Sequence, residues 1–417
     1  MPFDGIDDAI DDIHGGKFVI IVDDEQRENE GDLAIAADHI TADQVNFLLR
    51  HARGMICVAA EGWRLDELGL GDMVDDNTSH HGTAFTVSVD AIGNGVTTGI
   101  SAYDRAVTIR QLADREFGPT SFARPGHTHP LRARRGGVLE RAGHTEAVVD
   151  LCKAAGREPA GAICEILNED GTMARRPDLE RFAREHGFRM VSIDDLIAWR
   201  RRSEVLVKRG AETVLPTRWG SFRVYGYDDL ITHQVHVALV HGEITADEPV
   251  LVRVHSECLT GDVFGSQRCD CQAQLQKAMA MIGEAGSGVV VYLRQEGRGI
   301  GLLDKLRAYA LQDRGMDTVQ ANEHLGLPAD KRDYGIGAQI LADLGIRRIR
   351  AVSNNPRKFS GLLGHGIEVV EQVPLSTAPN AHNIRYLRTK RDKMGHALDE
   401  LDVAADGAPL PGETSAG

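Results

Sequence analysis

Residues 18–32 read FVIIVDDEQRENEGD: five apolar residues run directly into a ten-residue stretch, 23–32, that carries six carboxylates. So dense an apolar run predicts a buried strand over 18–24. An acidic loop at the carboxyl end of a buried strand is where open α/β sheets place ligands. The loop itself has two readings. It is a solvated acidic turn, or it is a site for a divalent cation such as Mg²⁺, which takes oxygen ligands and few of them from protein. Arg27, inside the run, suits a phosphate.

Working outward, the first half alternates helix and strand. Residues 41–53 predict an amphipathic helix with Val45, Leu48 and Leu49 on one side, and TAFTVSVD (83–90) alternates as a half-buried strand does. RPGHTHPLRA (124–133) predicts a Pro/Gly-rich loop bearing His127 and His129. In RAGHTEA (141–147), Arg141 and the free N–H groups of a following helix make an anion site, with His144 at the helix mouth. The alternative is an ordinary cap beside an exposed histidine. Thr145 is the expected cap of helix 146–156, which Gly156 ends. AGAICEIL (160–167) predicts a strand. A buried Glu165 without a partner is costly there, so it should face a site or a cation. After a helix over 193–202 comes the polar stretch 203–220, with Pro216 and no helical period. The domain boundary is placed there, near residue 205.

The second half is again α/β. Strands are expected at 250–255 and 288–293, and helices at 271–286 and from 302, with RQEGRGIG (294–301) as the turn between strand and helix. Arg294, Arg298 and the helix N-terminus there suit phosphate. LGLPADKRDYGIGAQI (325–340) sets Asp330, Arg332 and Asp333 just ahead of a helix, and SNNPRKF (353–359) offers Lys358 to a phosphate; helix capping and a solvated basic turn are the plain alternatives. Residues 382–396 look helical and basic, and 402–417 have the composition of a disordered tail.

The chain has 417 residues and a formal net charge of −15, which argues against bulk attraction to nucleic acid or anionic membrane. No apolar stretch reaches the roughly 18 residues of a membrane span, and the acidic N-terminus lacks a signal-peptide pattern, so a cytoplasmic protein is expected. Six cysteines are too few for a disulfide scaffold. Cys57, Cys152 and Cys164 stand alone in apolar stretches and read as buried, inert thiols. Cys258, Cys269 and Cys271 are spaced C-x10-C-x-C, a pattern for zinc. Three protein ligands leave a position for water, as catalytic zinc requires; His255 is the rival fourth ligand of a structural site. If the strand runs on through the motif, alternation puts Arg253, His255 and Glu257 on one face and Cys258 on the other.

DDEQRENEGD, HGTAFTVSVD, TTGISAYDR, RPGH, RAGHTEA and GAICEI, in that order over residues 5–202, resemble 3,4-dihydroxy-2-butanone 4-phosphate synthase. The resemblance implies that Glu28 and His144 ligate Mg²⁺ or Mn²⁺. It implies that Arg27, Asp32 and the stretch Arg141, Ala142, Gly143, His144 and Thr145 hold D-ribulose 5-phosphate, and that His127 and Glu165 serve catalysis. Tyr103 stands where that family has a small residue, Val107 where it has threonine, and Thr128 and His129 where apolar residues are expected. These departures are placed near the substrate loop.

VRVHSECLTGDVFGS, RCDC, RQEGRGIGL, RAYALQD, LGLPADKRDYGIGAQIL and NNP, over residues 208–397, closely resemble GTP cyclohydrolase II. This implies Zn²⁺ on Cys258, Cys269 and Cys271. The implied GTP contacts are Arg253, Val254, His255, Ser256, Glu257, Gln274, Glu296, Gly297, Arg298, Thr318, Ser353 and Lys358, with Mg²⁺ accompanying the nucleotide. Asp330 is the implied proton acceptor and Arg332 the implied nucleophile toward the α-phosphate. A guanidinium more naturally stabilises phosphoryl charge. Gln272 replaces the usual glycine after CDC, and Ser353 the usual threonine.

The expected architecture is therefore α/β: an α+β mixed-sheet domain at 1–204, an α/β zinc-containing domain at 205–401, and a tail at 402–417. Together the halves resemble the bifunctional enzymes of riboflavin biosynthesis, which implies a homodimer. Two rivals are a monofunctional cyclohydrolase with a degenerate first half, and a nucleotide-binding regulator with structural zinc.

Overall fold

The computed structural model describes residues 2–25, 27–245, 248–327, 332, 334–354, 366–375, 377–380, 382–384, 387–388 and 391. Asp330, Asp333, Lys358, most of the basic stretch 382–396 and the whole 402–417 tail lie outside the described residues. The chain divides into two compact units, Met1–Ser203 and Glu204–Gly417.

The first unit runs α1 (Ile6–His14), β1 (Val19–Val22), β2 (Gly31–Ala36), α2 (Ala42–Phe47), β3 (Cys57–Glu61), α3 (Gly62–Glu67), β4 (Val89–Ala91), α4 (Ala102–Ala113), β5 (Phe122–Ala133), α5 (His144–Ala154), β6 (Ala160–Glu165), α6 (Arg176–His186), β7 (Arg189–Ser192) and α7 (Ile193–Ser203). Among the described residues its strands form one mixed sheet in the order β4-β5-β3-β6-β2-β1-β7. β1 pairs antiparallel with β2 and parallel with β7. Ile20 and Val22 pack into one core, with Val45 of α2 and Ile109 of α4; Val19 and Ile21 pack into the other, with Ile13 of α1 and Val148 of α5. Both faces are covered, so a continuous apolar run rather than an alternating one codes the strand.

Four local readings are corrected. The helix expected over 41–53 is α2, started by a Thr41–Gln44 capping box, followed by a wider π turn through Leu48–Ala52. Val45 and Leu48 are buried, but Leu49 is exposed because the wider turn rotates it off the apolar face. Of 83–90, only Val89 and Asp90 belong to a strand; Phe85 and Thr86 make isolated bridges to Leu131 and Asp72. The 124–133 segment is strand rather than loop, although its Pro/Gly part behaves as the composition suggests. Adjacent Val89 and Asp90 face Thr128 and Ala123, so Arg124–His127 is extruded as a bulge while 129–133 pair parallel with β3. Finally, α5 begins at His144 with extended Gly143 as its N-cap, so Thr145 is already inside the helix.

The second unit runs β8 (Val207–Thr217), β9 (Gly220–Asp229), β10 (Val235–His241), β11 (Val250–Ser256), α8 (Leu259–Asp262), α9 (Cys271–Ala285), β12 (Gly288–Leu293), α10 (Leu302–Gln312), α11 (Thr318–His324), α12 (Gly335–Asp343), β13 (Arg348–Val352) and β14 (Glu368–Val373). Its sheet has the order β14-β13-β11-β12-β10-β9-β8 among the described residues. β11 through β14 are mutually parallel and the β8–β9–β10–β12 side is antiparallel. The polar stretch 203–220 is thus largely an edge strand, β8. It is exposed along nearly its whole length, so no buried face imposes a period on it. Among the described residues no helix is long and apolar enough to cross a membrane.

Candidate active sites

The acidic loop closes on itself around Asp23, which is buried at the end of β1. Its Oδ1 accepts the Glu30 N–H at 2.8 Å; its Oδ2 accepts the Glu28 N–H at 3.0 Å and Arg27 Nη1 at 2.9 Å. Arg27 also donates to Glu28 Oε2 at 2.7 Å. This turns Glu28 toward His144, whose Nδ1 lies 3.6 Å from Glu28 Oε2. One donor atom each from Asp23, Glu28 and His144 lies within 4.8 Å of the others. Asp23 belongs to the quoted acidic run but its place beside the other two is set by the fold.

The electrostatics are those of a cation site. The adjacent His144 imidazole, with Arg27, holds Glu28 down at about 2 against the cost of burial. Burial pulls the His144 imidazole down, yet Asp32, Glu28 and Asp23 outweigh it and push it up to about 9. Burial pushes Asp32 up to about 7, aided by Glu165, Glu30 and Glu28 and opposed by His144. His144 Nε2 and Asp32 Oδ1 are buried with no hydrogen-bond partner among the described residues. Buried polar atoms left open in this way call for an ion, water or ligand. The oxygen-and-imidazole donor set fits a hard divalent cation.

Asp32 and Glu165 are cross-strand neighbours in the β2–β6 register. Glu165 Oε2 accepts the Met55 N–H at 2.8 Å, so the partner it needed is a backbone amide. Arg141 reaches Glu146 Oε2 at 2.6 Å, Thr83 Oγ1 at 3.0 Å and the His81 carbonyl, tying the 81–83 loop to the mouth of α5. His127 sits on the bulge, half-exposed, and is not brought into the Glu28–His144 cluster. Asp90 holds it instead: Oδ1 accepts its N–H at 2.8 Å and Oδ2 lies 2.7 Å from Nδ1. Asp90 carried no signal beyond its place at the end of 83–90. Tyr103 and Val107 line a separate hollow with Asp38, Asn94, Arg110 and Gln111. They are one turn apart on α4, which carries both to that side. Thr128 is buried opposite Val89, and His129 pairs in register with Cys57. Cys57, Cys152 and Cys164 are buried free thiols, and burial pushes each far above the ordinary thiol range.

In the second unit Cys258, Cys269 and Cys271 place their sulfurs within 4.8 Å of one another, with Cys258 and Cys269 at 3.7 Å. β11 ends at Ser256, so strand alternation does not extend to Cys258, which instead precedes the short α8. His255 is not among the clustered donors: its Nε2 lies 3.2 Å from both oxygens of Asp262, and its ring stacks on Tyr292. Asp262 also accepts the Cys258 N–H and the Tyr292 hydroxyl. Hydrogen bonds from Cys269 and Cys271, and then Lys305, hold Cys258 far below the thiol range. That first charge pushes Cys269 up to about 11 and Cys271 well above its ordinary value. Thiolates this close repel one another, so ionising all three needs a cation between them, which is the donor chemistry of zinc.

Gly261 leaves the room. A Cβ there would stand 2.8 Å from Cys269 Sγ and 3.1 Å from Cys258 Sγ. Gly261→Ala is therefore expected to lower zinc content several-fold while the first unit's activity is retained; metal analysis of the purified variant checks it, and full zinc content would show that the sulfurs need no such room.

The cavity beside the cysteines is lined by most of the residues the sequence offered: Arg253, His255, Ser256, Glu257, Gln274, Glu296, Gly297, Arg298, Thr318, Arg332 and Ser353. Val254 is not among them; its side chain packs toward Gly337 of α12. Arg253 donates to the Val352 carbonyl at 2.9 Å and to Gln274 Oε1 at 2.7 Å, and burial lowers it to about 10. Gly297 and Arg298 both take left-handed backbone conformations, φ 62° and 63°, the strained kind of turn that functional sites hold. Gln272 donates to the Asp262 carbonyl at 3.3 Å. Sequence reasoning gave no place to Arg268, Lys305, Gln312, Asn322 and Asn354, which line the same cavity. Arg268, Gln312 and Asn354 sit inside RCDC, RAYALQD and NNP but carry no role of their own there, whereas Lys305 and Asn322, on α10 and α11, lie outside those motifs and reach the cavity only through the fold.

Two α/β units, one with an oxygen-and-imidazole cluster and the other with a thiol cluster beside a basic cavity, define a two-site enzyme. A family model described as 3,4-dihydroxy-2-butanone 4-phosphate synthase matches residues 7–199, and one described as GTP cyclohydrolase II matches residues 208–374. A riboflavin biosynthesis protein RibBA of Chlorobium phaeovibrioides is 57% identical over 95% of this chain and 96% of its own. One of Bacillus cereus (strain G9842) is 56% identical over 95% of this chain and 100% of its own. The crystal structure of RibBX from A. baumannii, described as a two-domain 3,4-dihydroxy-2-butanone 4-phosphate synthase, superposes with a TM-score of 0.68 at 37% identity, covering 90% of this chain and 100% of that one. The chain belongs to the RibBA family of riboflavin biosynthesis proteins: it is a bifunctional enzyme, a lyase of the synthase type joined to a GTP cyclohydrolase II.

Proposed function

We propose that residues 1–204 convert D-ribulose 5-phosphate to 3,4-dihydroxy-2-butanone 4-phosphate and formate. Residues 205–401 hydrolyse GTP to 2,5-diamino-6-hydroxy-4-(5-phosphoribosylamino)pyrimidine, formate and pyrophosphate. The observation that carries this is the presence of one metal-type donor cluster in each unit, each of the chemistry its reaction needs. Product analysis with each substrate supplied separately tests it. Consumption of GTP alone would return the monofunctional alternative, which the intact Asp23–Glu28–His144 cluster argues against.

In the first unit, Glu28 and His144 would hold Mg²⁺ or Mn²⁺, which supplies polarisation of the sugar's carbonyl and hydroxyl oxygens. The N–H groups of His144 and Thr145 at the start of α5, with Ala142 and Gly143 just ahead of it, cradle the phosphate, with Arg141 braced beside them by Glu146 and with Arg27. Asp32 orients the substrate hydroxyls. Asp90 holds His127 by Nδ1 and leaves Nε2 to move a proton; Glu165 is the second acid–base group.

In the second unit, Cys258, Cys269 and Cys271 would hold Zn²⁺, which supplies an acidified water for opening the imidazole ring. Residues Arg253–Glu257 and Gln274 orient the nucleotide. By the family resemblance, Arg298, Thr318, Ser353 and Lys358 would bind the phosphates with Mg²⁺, and Asp330 would accept a proton. Arg332 lies 5.4 Å over the Tyr334 ring, at the mouth of α12. We assign it to charge stabilisation at the α-phosphate. Arg332→Ala should slow pyrophosphate release about 10²–10³-fold, and Arg332→Lys should recover little because the forked geometry is lost. Mass spectrometry of enzyme quenched during turnover should find no guanylylated Arg332 peptide; finding one would establish the covalent role instead.

The three isolated thiols and the zinc-type cysteine cluster support a reducing, cytoplasmic location. The family resemblance supports a homodimer, which light scattering of the purified chain would check.

A further inference from the structure

Lys305 of α10 is 9% exposed, and a buried ammonium is costly unless paired. Its pairing joins three segments of the second site. Nζ donates to Cys258 Sγ at 3.0 Å and to Glu296 Oε1 at 2.7 Å, and it lies 5.8 Å from the centre of the Tyr309 ring. Glu296 is fully engaged in turn. Its Oε1 also accepts the Gly297 N–H at 2.7 Å, and its Oε2 accepts the Leu259 N–H at 2.6 Å. One ammonium therefore ties α10 to the left-handed turn at 296–299 and to the Cys258–Leu259 peptide. The carboxylate of Glu296 serves that brace.

We propose that Lys305 is a positioning residue of the thiol site, which fixes the Cys258 sulfur and draws charge from it. This rests on the assignment of zinc to the three cysteines. Three thiolates outweigh the charge of a divalent cation and weaken its pull on a fourth ligand. An ammonium on one sulfur restores part of that pull, as outer partners of metal ligands do. Lysine suits the place better than arginine. A compact point charge with three donors can meet a sulfur, a carboxylate oxygen and a ring face at once, whereas a planar fork cannot.

The test compares the full-length wild type with Lys305→Met and Lys305→Arg, each with zinc and after exchange for Co²⁺. The measurements are the sulfur-to-cobalt charge-transfer band, zinc retention against a chelator, kcat and KM for GTP, and ribulose 5-phosphate turnover as the check on folding. Lys305→Met is expected to lower kcat about 10–100-fold. KM should change less than about threefold, and the charge-transfer band should move to longer wavelength because the sulfur becomes the better electron donor. Lys305→Arg should bring the band back toward wild type while recovering only part of kcat. A band that stays put in Lys305→Met, whatever kcat does, overturns the charge role. If Lys305→Met retains no metal, Glu296→Gln carries the test. It keeps the ammonium but frees it from its brace, and wild-type kcat and band position there would overturn the positioning role. Absence of any thiolate–cobalt band in the wild type would remove the zinc assignment itself, and this role with it.

Discussion

Cys269→Ser is expected to lose zinc and bring GTP ring opening below detection, a fall of more than about 10³-fold, while ribulose 5-phosphate turnover stays at the wild-type rate. Cys269 is buried, with its sulfur 3.7 Å from that of Cys258. A serine hydroxyl there stays protonated and offers a hard, weak donor in place of a thiolate. The binding free energy of structural zinc in thiolate peptides is about 10–16 kcal/mol at neutral pH, so loss of one of three ligands removes a large share of it. The separation of the two units predicts the asymmetry: the Asp23–Glu28–His144 cluster is built wholly from residues before Ser203. Metal analysis together with formate and pyrophosphate assays decides it. Full zinc content in a variant lacking all three thiols would sink the assignment.

Glu28→Gln is the reciprocal case. It should abolish formation of the butanone phosphate, again by more than about 10³-fold, and leave GTP hydrolysis intact. The amide is nearly the same size, so the loop held by Asp23 should survive through the Glu28 N–H, which the substitution keeps. What is lost is the charge that His144 and Arg27 hold ionised. A neutral oxygen is a poor ligand for a small, strongly hydrated cation. EDTA should produce the same loss in the wild type. Undiminished turnover by the variant, or by wild type kept in EDTA, would remove Glu28 from the site.

The strong periodic segments were legible in the sequence. The VIIV run of β1, the helix over 271–285 with its glycine stop and the three clustered cysteines all stand where patterning and spacing put them. The failures share a cause. β8 is exposed on both faces, so no hydrophobic period marks it. β5 is interrupted by the Arg124–His127 bulge, and the Pro/Gly signal of the bulge masked the strand on either side. The site showed the same division. Donors that the family motifs carry were readable, Glu28 and His144 among them, whereas Lys305 is 47 residues from Cys258 in a segment that reads as an ordinary amphipathic helix. Charge pairing across such distances is written only in the tertiary packing.

The parallel pairing of β1 with β7 has a consequence for how the chain is made. Val19–Val22 lie between Gly31–Ala34 on one side and Arg189–Ser192 on the other. A ribosome adding about 5–20 residues per second needs roughly ten to thirty seconds to travel from the first of these strands to the last. Throughout that interval the nascent chain presents an apolar four-residue edge with unpaired amides, the kind of template that neighbouring chains on a polysome can pair with. The first unit is thus most vulnerable during its own synthesis. A factor that shields nascent chains should raise its soluble yield without altering the finished enzyme.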